Sequence, residues 1–135
     1  MKRYWDTSAL IDCLDSDSAL ALVLEPDQWT RSHSLSEMFS TLTKNRNFSA
    51  RIRPGKAFVM IQDVTAKMNF VDLTPKEMFS ALEMAEKKGV SGSGVHDWIH
   101  AVAAKKAGVE TLLTLNLAHF ENLKMGFKVE APPMD

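Results

Sequence analysis

The chain is nearly without cysteine: a single residue, Cys13, in 135. An internal disulfide is therefore excluded, and the sparse usage fits a reducing compartment. Net charge is nearly missing too, −1 from 16 basic and 17 acidic residues. No global field draws the chain to nucleic acid or membrane, so a polyanion would have to be held by a local patch. No apolar run approaches the roughly 20 residues of a membrane span, and "MKRYWDTSAL" at the start has no apolar stretch of signal-peptide length. A cytoplasmic protein is expected. There is no internal repeat, low-complexity tract or linker, and only "APPMD" at the end reads as loose. What is present is 45% hydrophobic and 24% charged, the balance of one globular domain over residues 1–135.

Short apolar segments alternate with helical patterns. "RYW" reads as a strand ending at Asp6, and residues 8–24 as helix with a break near "DSDS". "QWTR" is a second candidate strand, followed by a helix from Ser34 to Lys44. A polar, basic stretch precedes a helix over Pro54–Lys67, and "NFVDL" reads as a strand. "TPKEMFSALEMAEKKG" is the clearest helix: Thr74 as N-cap, Pro75 at the first helical position, Glu77 completing a capping box, Gly89 as stop. "VHDWIHAVAAKKAG" is a helix ending at Gly108, "TLLTL" a strand, "LAHFENL" a short helix, and "KVEAP" a last strand. Short strands separated by helices of ten or more residues imply crossovers and a mostly parallel sheet, an α/β fold.

In such folds ligands bind beyond the carboxyl ends of the strands. Chemistry is therefore expected just after Trp5, around Ser32–Glu37, at the start of the 95–107 helix, and just after Leu115. Asp6 stands at the first place, in "YWDTSAL". One of Asp6, Thr7 and Ser8 must cap the next helix, yet the stretch offers three polar side chains. Glu37 stands at the second, where Ser34 and Glu37 have the S-x-x-E spacing of a purely structural capping box. Asp97 stands at the third, in a first turn where the helix dipole favours an acid. It shares a small-residue face with Ala101 and Ala104, which would let another element approach. Asn116 stands at the fourth, able to offer a neutral carbonyl oxygen or to cap "LAHF", with Thr114 able to bond a neighbouring carboxylate. Carboxylates brought together repel unless a cation neutralises them. An all-oxygen set suits Mg²⁺ or Mn²⁺, which activate water and stabilise a phosphoryl transition state.

"YWDTSALI", Glu37 in "SLSEMFSTL", "HDWIHAVAAKKAG" with Asp97, and "TLLTLNLAHF" occur in an order and spacing that resembles the PIN-domain family, and within it the VapC-type toxins of toxin–antitoxin pairs. The resemblance spans nearly the whole chain. It implies a three-layer α/β domain and a Mg²⁺- or Mn²⁺-dependent endoribonuclease, usually a homodimer, held inactive by a small antitoxin. Asp6, Glu37 and Asp97 fall on the family's acidic positions. Asn116 falls where many members carry an acid, and His119 where others have an aspartate, so the charge count stays at three. A non-catalytic PIN-like RNA-binding or regulatory module is the alternative.

"HDWIH" also resembles the H-E-x-x-H helix of zinc proteases, with His96 and His100 as ligands and His119 or Glu121 as a third. Aspartate is one methylene shorter than the usual base, and His96 lies at a helix start. On a helical wheel both histidines flank the apolar stripe, as half-buried residues with ordinary hydrogen bonds would. Finally, "KNRNFSARIRPGK" holds Lys44, Arg46, Arg51, Arg53 and Lys56 around Phe48, with no acid. It is either a solvated loop or an RNA-contacting rim with a stacking aromatic.

Overall fold

A computed structural model describes residues 1–44 and 52–135. Among these residues five strands alternate with helices: β1 (Arg3–Trp5), α1 (Thr7–Cys13), α2 (Asp17–Val23), β2 (Gln28–Thr30), α3 (His33–Thr43), α4 (Pro54–Thr65), β3 (Asn69–Phe70), α5 (Pro75–Met84), α6 (Val95–Ala107), β4 (Thr111–Leu113), α7 (Leu117–Leu123) and β5 (Lys128–Glu130). The strands form one sheet in the order β3-β2-β1-β4-β5, with every pairing parallel. The expected parallel α/β architecture is thus present, with helices on both faces. Alternation along the strands divides the core. Tyr4 and Leu112 point into a cluster with Ala81, Trp98, Ile99, Ala103 and Phe120 from α5, α6 and α7. Trp5 and Leu113 point the other way, to Leu10, Val23, Met38, Ile61 and Val64 from α1 to α4. A period of two thus serves both layers from the same strands.

Local chemistry accounts for most boundaries. Pro54 opens α4, and Gly108 closes α6 in the left-handed conformation (φ 72°) that a side chain would resist. In α5 the Thr74–Glu77 capping box forms as expected. The regular helix ends at Met84 rather than Gly89. The chain keeps turning until Gly89 (φ 69°), where Val90 N–H donates to the Ala85 carbonyl, a Schellman-type closure. Strands are shorter than the sequence suggests: β2 stops before Arg31, β3 spans two residues, and β4 ends at Leu113, which puts Thr114 beyond the strand. The break near "DSDS" is a true interruption, with Ser16 capping α2. The tail is not loose. Ser16 Oγ donates to the Pro133 carbonyl, and the Asp135 carboxylate accepts from Asp17 N–H, Ser18 N–H and Ser18 Oγ. Among the described residues no helix is long and apolar enough to cross a membrane.

Candidate active site

The chain runs outward from β1 through β2 to β3, then returns to place β4 on the other side of β1. The carboxyl ends of β1 and β4 therefore flank a topological switch point, where ligands of open α/β sheets bind. Asp6 and Thr114 are the residues that follow these strands. They meet there: Thr114 Oγ1 donates to Asp6 Oδ2 at 2.6 Å. Asp6 Oδ1 accepts from Ala9 N–H (2.9 Å) and Ser8 Oγ (2.7 Å), so Asp6 is the N-cap of α1. Ser8 Oγ in turn accepts from Leu115 N–H, and Thr114 Oγ1 from Asn116 N–H. Asp6 is only 2% exposed. Burial drives its carboxyl pKa upward, and the bonds from Thr114, Ala9 and Ser8 together with His100 only partly offset this.

Glu37 reaches the same edge from α3. Its Oε1 accepts from Thr7 Oγ1 (3.1 Å) and lies 3.2 Å from His100 Nε2 and 3.7 Å from Arg31 Nη2. Burial works to raise its pKa, but His100, Thr7 and Arg31 outweigh it and hold the carboxyl down at about 2. The S-x-x-E spacing does not make a capping box here. Helix α3 starts at His33, and Ser34 is fully buried with its hydroxyl bonded to Thr30 Oγ1 at 2.8 Å. Asp97 sits in the first turn of α6, and its Oδ2 lies 2.7 Å from His119 Nδ1. Asn116 is exposed at the start of α7 and its side chain makes no capping bond there.

The structure therefore sets Asp6 and the Thr7 partner of Glu37 on consecutive residues, and Asp97 one helical turn before the His100 partner of Glu37. It does not gather the three carboxylates into a cage: among the described residues no three His, Cys, Asp or Glu side chains are grouped to hold one ion. The donor set itself fits a hard divalent cation. All the donors are oxygens, and among the described residues Asp6 is buried with hydrogen bonds but no ion pair, and the contacts of Glu37 and Asp97 fall on one oxygen each (Oε1 and Oδ2).

The two histidines of "HDWIH" part company. His96 is exposed, whereas His100 is 2% exposed, so the half-buried pair expected from the wheel is not found. His100 has both ring nitrogens engaged, Nδ1 by Tyr4 Oη (2.8 Å) and Nε2 by Glu37 and Thr7. His119 is turned to Asp97 and Glu121 is exposed, so the side chains of the zinc reading do not assemble. Of the basic stretch, Lys44, Arg53 and Lys56 are exposed at the ends of α3 and α4. Lys44 is seven residues beyond Glu37, about 10 Å along the helix axis. Arg46, Phe48 and Arg51 lie outside the described residues. Sequence reasoning missed Tyr4 and Arg31. Their only signal was position, Tyr4 inside a short strand and Arg31 just past the end of another.

A search of curated proteins finds no match. Solved structures share the fold. VapBC2 from Rickettsia felis, bound to a DNA fragment from its promoter, matches with TM-score 0.72 at 19% identity over 98% of this chain and 100% of that one. PAE2754 from Pyrobaculum aerophilum gives 0.68 at 17% over 96% and 89%, and VapBC-1 from nontypeable Haemophilus influenzae 0.67 at 16% over 97% and 98%. The family model for the PIN domain matches residues 3–124, nearly the whole length. The parallel sheet, the acid at its switch point and this match agree, and the chain belongs to the PIN-domain family.

Proposed function

We propose that the chain is a Mg²⁺- or Mn²⁺-dependent endoribonuclease, the toxin of a toxin–antitoxin pair, which works as a homodimer and is restrained by a small antitoxin protein. The observation that carries this reading is Asp6: a buried carboxylate at the β1/β4 switch point, tied to Thr114, one residue from the Thr7 that bonds Glu37. PIN domains are nucleases that generally use a divalent metal, and the VapBC likenesses support an antitoxin partner.

In this reading Asp6, Glu37 and Asp97 hold the cation and Asn116 offers a neutral oxygen. When bound, Mg²⁺ or Mn²⁺ supplies Lewis acidity toward water and a phosphodiester oxygen. Thr114 and Ser8 fix the Asp6 carboxylate, and Thr7 fixes that of Glu37, so little reorganisation remains when substrate arrives. Lys44, Arg53 and Lys56, with Arg46 and Arg51, track the RNA backbone.

The test pairs an RNA-cleavage assay with thermal melts. Cleavage is expected with Mg²⁺ or Mn²⁺ and lost with EDTA. Asp6→Asn should abolish it while leaving the metal-free fold as stable or more so, because a buried charge is removed and asparagine still caps α1. Mg²⁺ should raise the Tm of wild type more than that of the variant by mass action. Equal Mg²⁺ shifts would remove Asp6 from the ligand set. A Mg²⁺ shift without cleavage would favour the non-catalytic RNA-binding reading.

A further inference from the structure

His100 is a buried polar side chain that the proposed chemistry leaves unused. It projects from α6 into the end of β1, between a phenol and a carboxylate: Tyr4 Oη is 2.8 Å from Nδ1, Glu37 Oε1 is 3.2 Å from Nε2, and Thr7 Oγ1 is 3.3 Å from Nε2. Tyr4 is fully buried, and burial raises its pKa, so the phenol keeps its proton. The proton positions then follow from donor and acceptor capacity. Glu37 can only accept. A bare Nε2 would aim a lone pair at the carboxylate, so Nε2 carries a proton and donates to it. With a single proton on the ring, Nδ1 is the acceptor for the Tyr4 hydroxyl. Thr7 Oγ1 donates to the same Oε1, and each of these contacts becomes a donor–acceptor pair.

We propose that Tyr4 and His100 form a positioning relay for Glu37: the Tyr4 hydroxyl fixes the imidazole with its proton on Nε2, and that proton ties Oε1, leaving Oε2 as the oxygen that would hold the cation. The relay rests on the metal-binding role of Glu37 proposed above. It reaches across the fold, since Tyr4 and His100 are 96 residues apart and belong to β1 and α6, whereas Glu37 belongs to α3. Three elements thus set one carboxylate oxygen. Both Tyr4 and His100 are positioning residues, acting through Glu37 rather than on substrate. Outer partners that orient a ligand commonly change metal affinity by about 10- to 100-fold when removed.

The experiment uses Mn²⁺ as probe and reads its affinity by electron paramagnetic resonance, with the metal-free melting curve taken for each variant. His100→Leu should weaken Mn²⁺ binding about ten-fold or more, while His100→Gln, which keeps an N–H near Nε2, should recover most of it. Tyr4→Phe removes one hydroxyl from a packed ring and is the variant most certain to fold. It should weaken Mn²⁺ binding several-fold. Nitrogen NMR of the histidine rings supplies a metal-free readout, in which His100 should show its proton on Nε2. An unprotonated Nε2 would overturn the relay, as would Mn²⁺ affinities within two-fold of wild type in folded Tyr4→Phe and His100→Leu proteins. Wild type and Glu37→Gln separate this failure from that of the metal site. If Glu37→Gln weakens Mn²⁺ binding and the relay variants do not, the site stands and the relay falls. If wild type binds no Mn²⁺, both fall.

Discussion

Two stretches of this chain carry the same four-residue spacing, Ser34-x-x-Glu37 and Thr74-x-x-Glu77, and fold to opposite ends. At Thr74 the box closes on itself: Glu77 N–H donates to Thr74 Oγ1 at 3.2 Å and Thr74 N–H to Glu77 Oε1 at 2.9 Å. Glu77 stays at the surface and adds Lys106 at 2.6 Å. At Ser34 the box never forms. Helix α3 begins two residues earlier than that spacing requires, Ser34 is drawn into the core by Thr30, and Glu37 is released to Thr7, His100 and Arg31. Local spacing permits a cap in both places. The difference lies in what surrounds each: α5 starts in solvent, where the backbone's own donors are the best partners, whereas α3 starts against the ends of β1 and β2. Tertiary partners override a local device when they are closer to hand.

The largest effect that tests this contrast is on catalysis. Glu37→Gln should lower RNA cleavage by about 10²- to 10³-fold, the scale of losing one preorganised electrostatic group, whereas Glu77→Gln should leave it unchanged. Single-turnover cleavage at saturating Mg²⁺ measures both. Equal rates for the two variants would make Glu37 another surface acid and end the contrast.

Acid stability comes next. The Glu37 pKa falls from 4.5 to about 2. A depressed carboxyl stabilises the fold above its unfolded pKa, and this contribution is lost as pH drops from about 4.5 toward 2. Asp6 works in the opposite sense. Its pKa is raised, so its ionisation costs stability, and the cost disappears as pH falls through the raised value. Denaturant midpoints followed against pH should therefore lose part of their lowest limb in Glu37→Gln. They should gain stability near neutrality in Asp6→Asn. A lowest limb identical in wild type and Glu37→Gln would mean that the carboxylate is not held by Thr7, His100 and Arg31 in solution.

How far the sequence could be read follows from the same contrast. The parallel sheet was legible because short strand-like segments alternate with helical stretches. So was the α5 start, where every partner lies within four residues. Asp6, Glu37, Asp97 and Thr114 were legible as candidates because strand ends are where ligands bind. The Tyr4–His100 contact was not legible, since it joins residues 96 apart whose meeting depends on how α6 packs on β1. His100 instead invited a zinc reading through its spacing from His96, and only burial separates the two. Asp135 was missed for the same reason: its partners lie 117 and 118 residues away.

Stability of the two helix starts gives a finer test. Thr74→Ala should cost about 1 kcal/mol, the usual worth of an N-cap, with cleavage unmoved. Ser34→Ala removes a buried hydroxyl bonded to Thr30 and should cost about as much, about 1 kcal/mol. It should also lower cleavage, because the first turn of α3 sets the angle at which Glu37 enters the site. Chemical denaturation together with the cleavage assay separates the two substitutions. Thr74→Ala lowering cleavage as much as Ser34→Ala would show that the α3 start has no special link to the site.

The smallest effect concerns the exposed pair. Glu77 Oε1 accepts from both Lys106 Nζ and Thr74 N–H, and the Lys106 bond is the main reason its pKa lies below the ordinary value. Exposed ion pairs gain little and are screened by salt, while the cap bond to the backbone is short-ranged and is not. Lys106→Met should therefore lower the melting temperature slightly at low ionic strength and less at high. Glu77→Gln should keep a residual loss at any salt, because amide oxygen is a weaker acceptor for the Thr74 N–H. Combining the two changes completes a cycle, and the coupling it yields should shrink as salt rises. A Lys106→Met loss that is unaffected by salt, with no coupling to Glu77, would mean that Lys106 acts through its other bond, to the Asp72 carbonyl at 2.7 Å. Asp72 also accepts from Ser32 N–H and Oγ at the start of α3, so the surface box would then be joined to the α3 start after all. The contrast between the two glutamates would become one of degree.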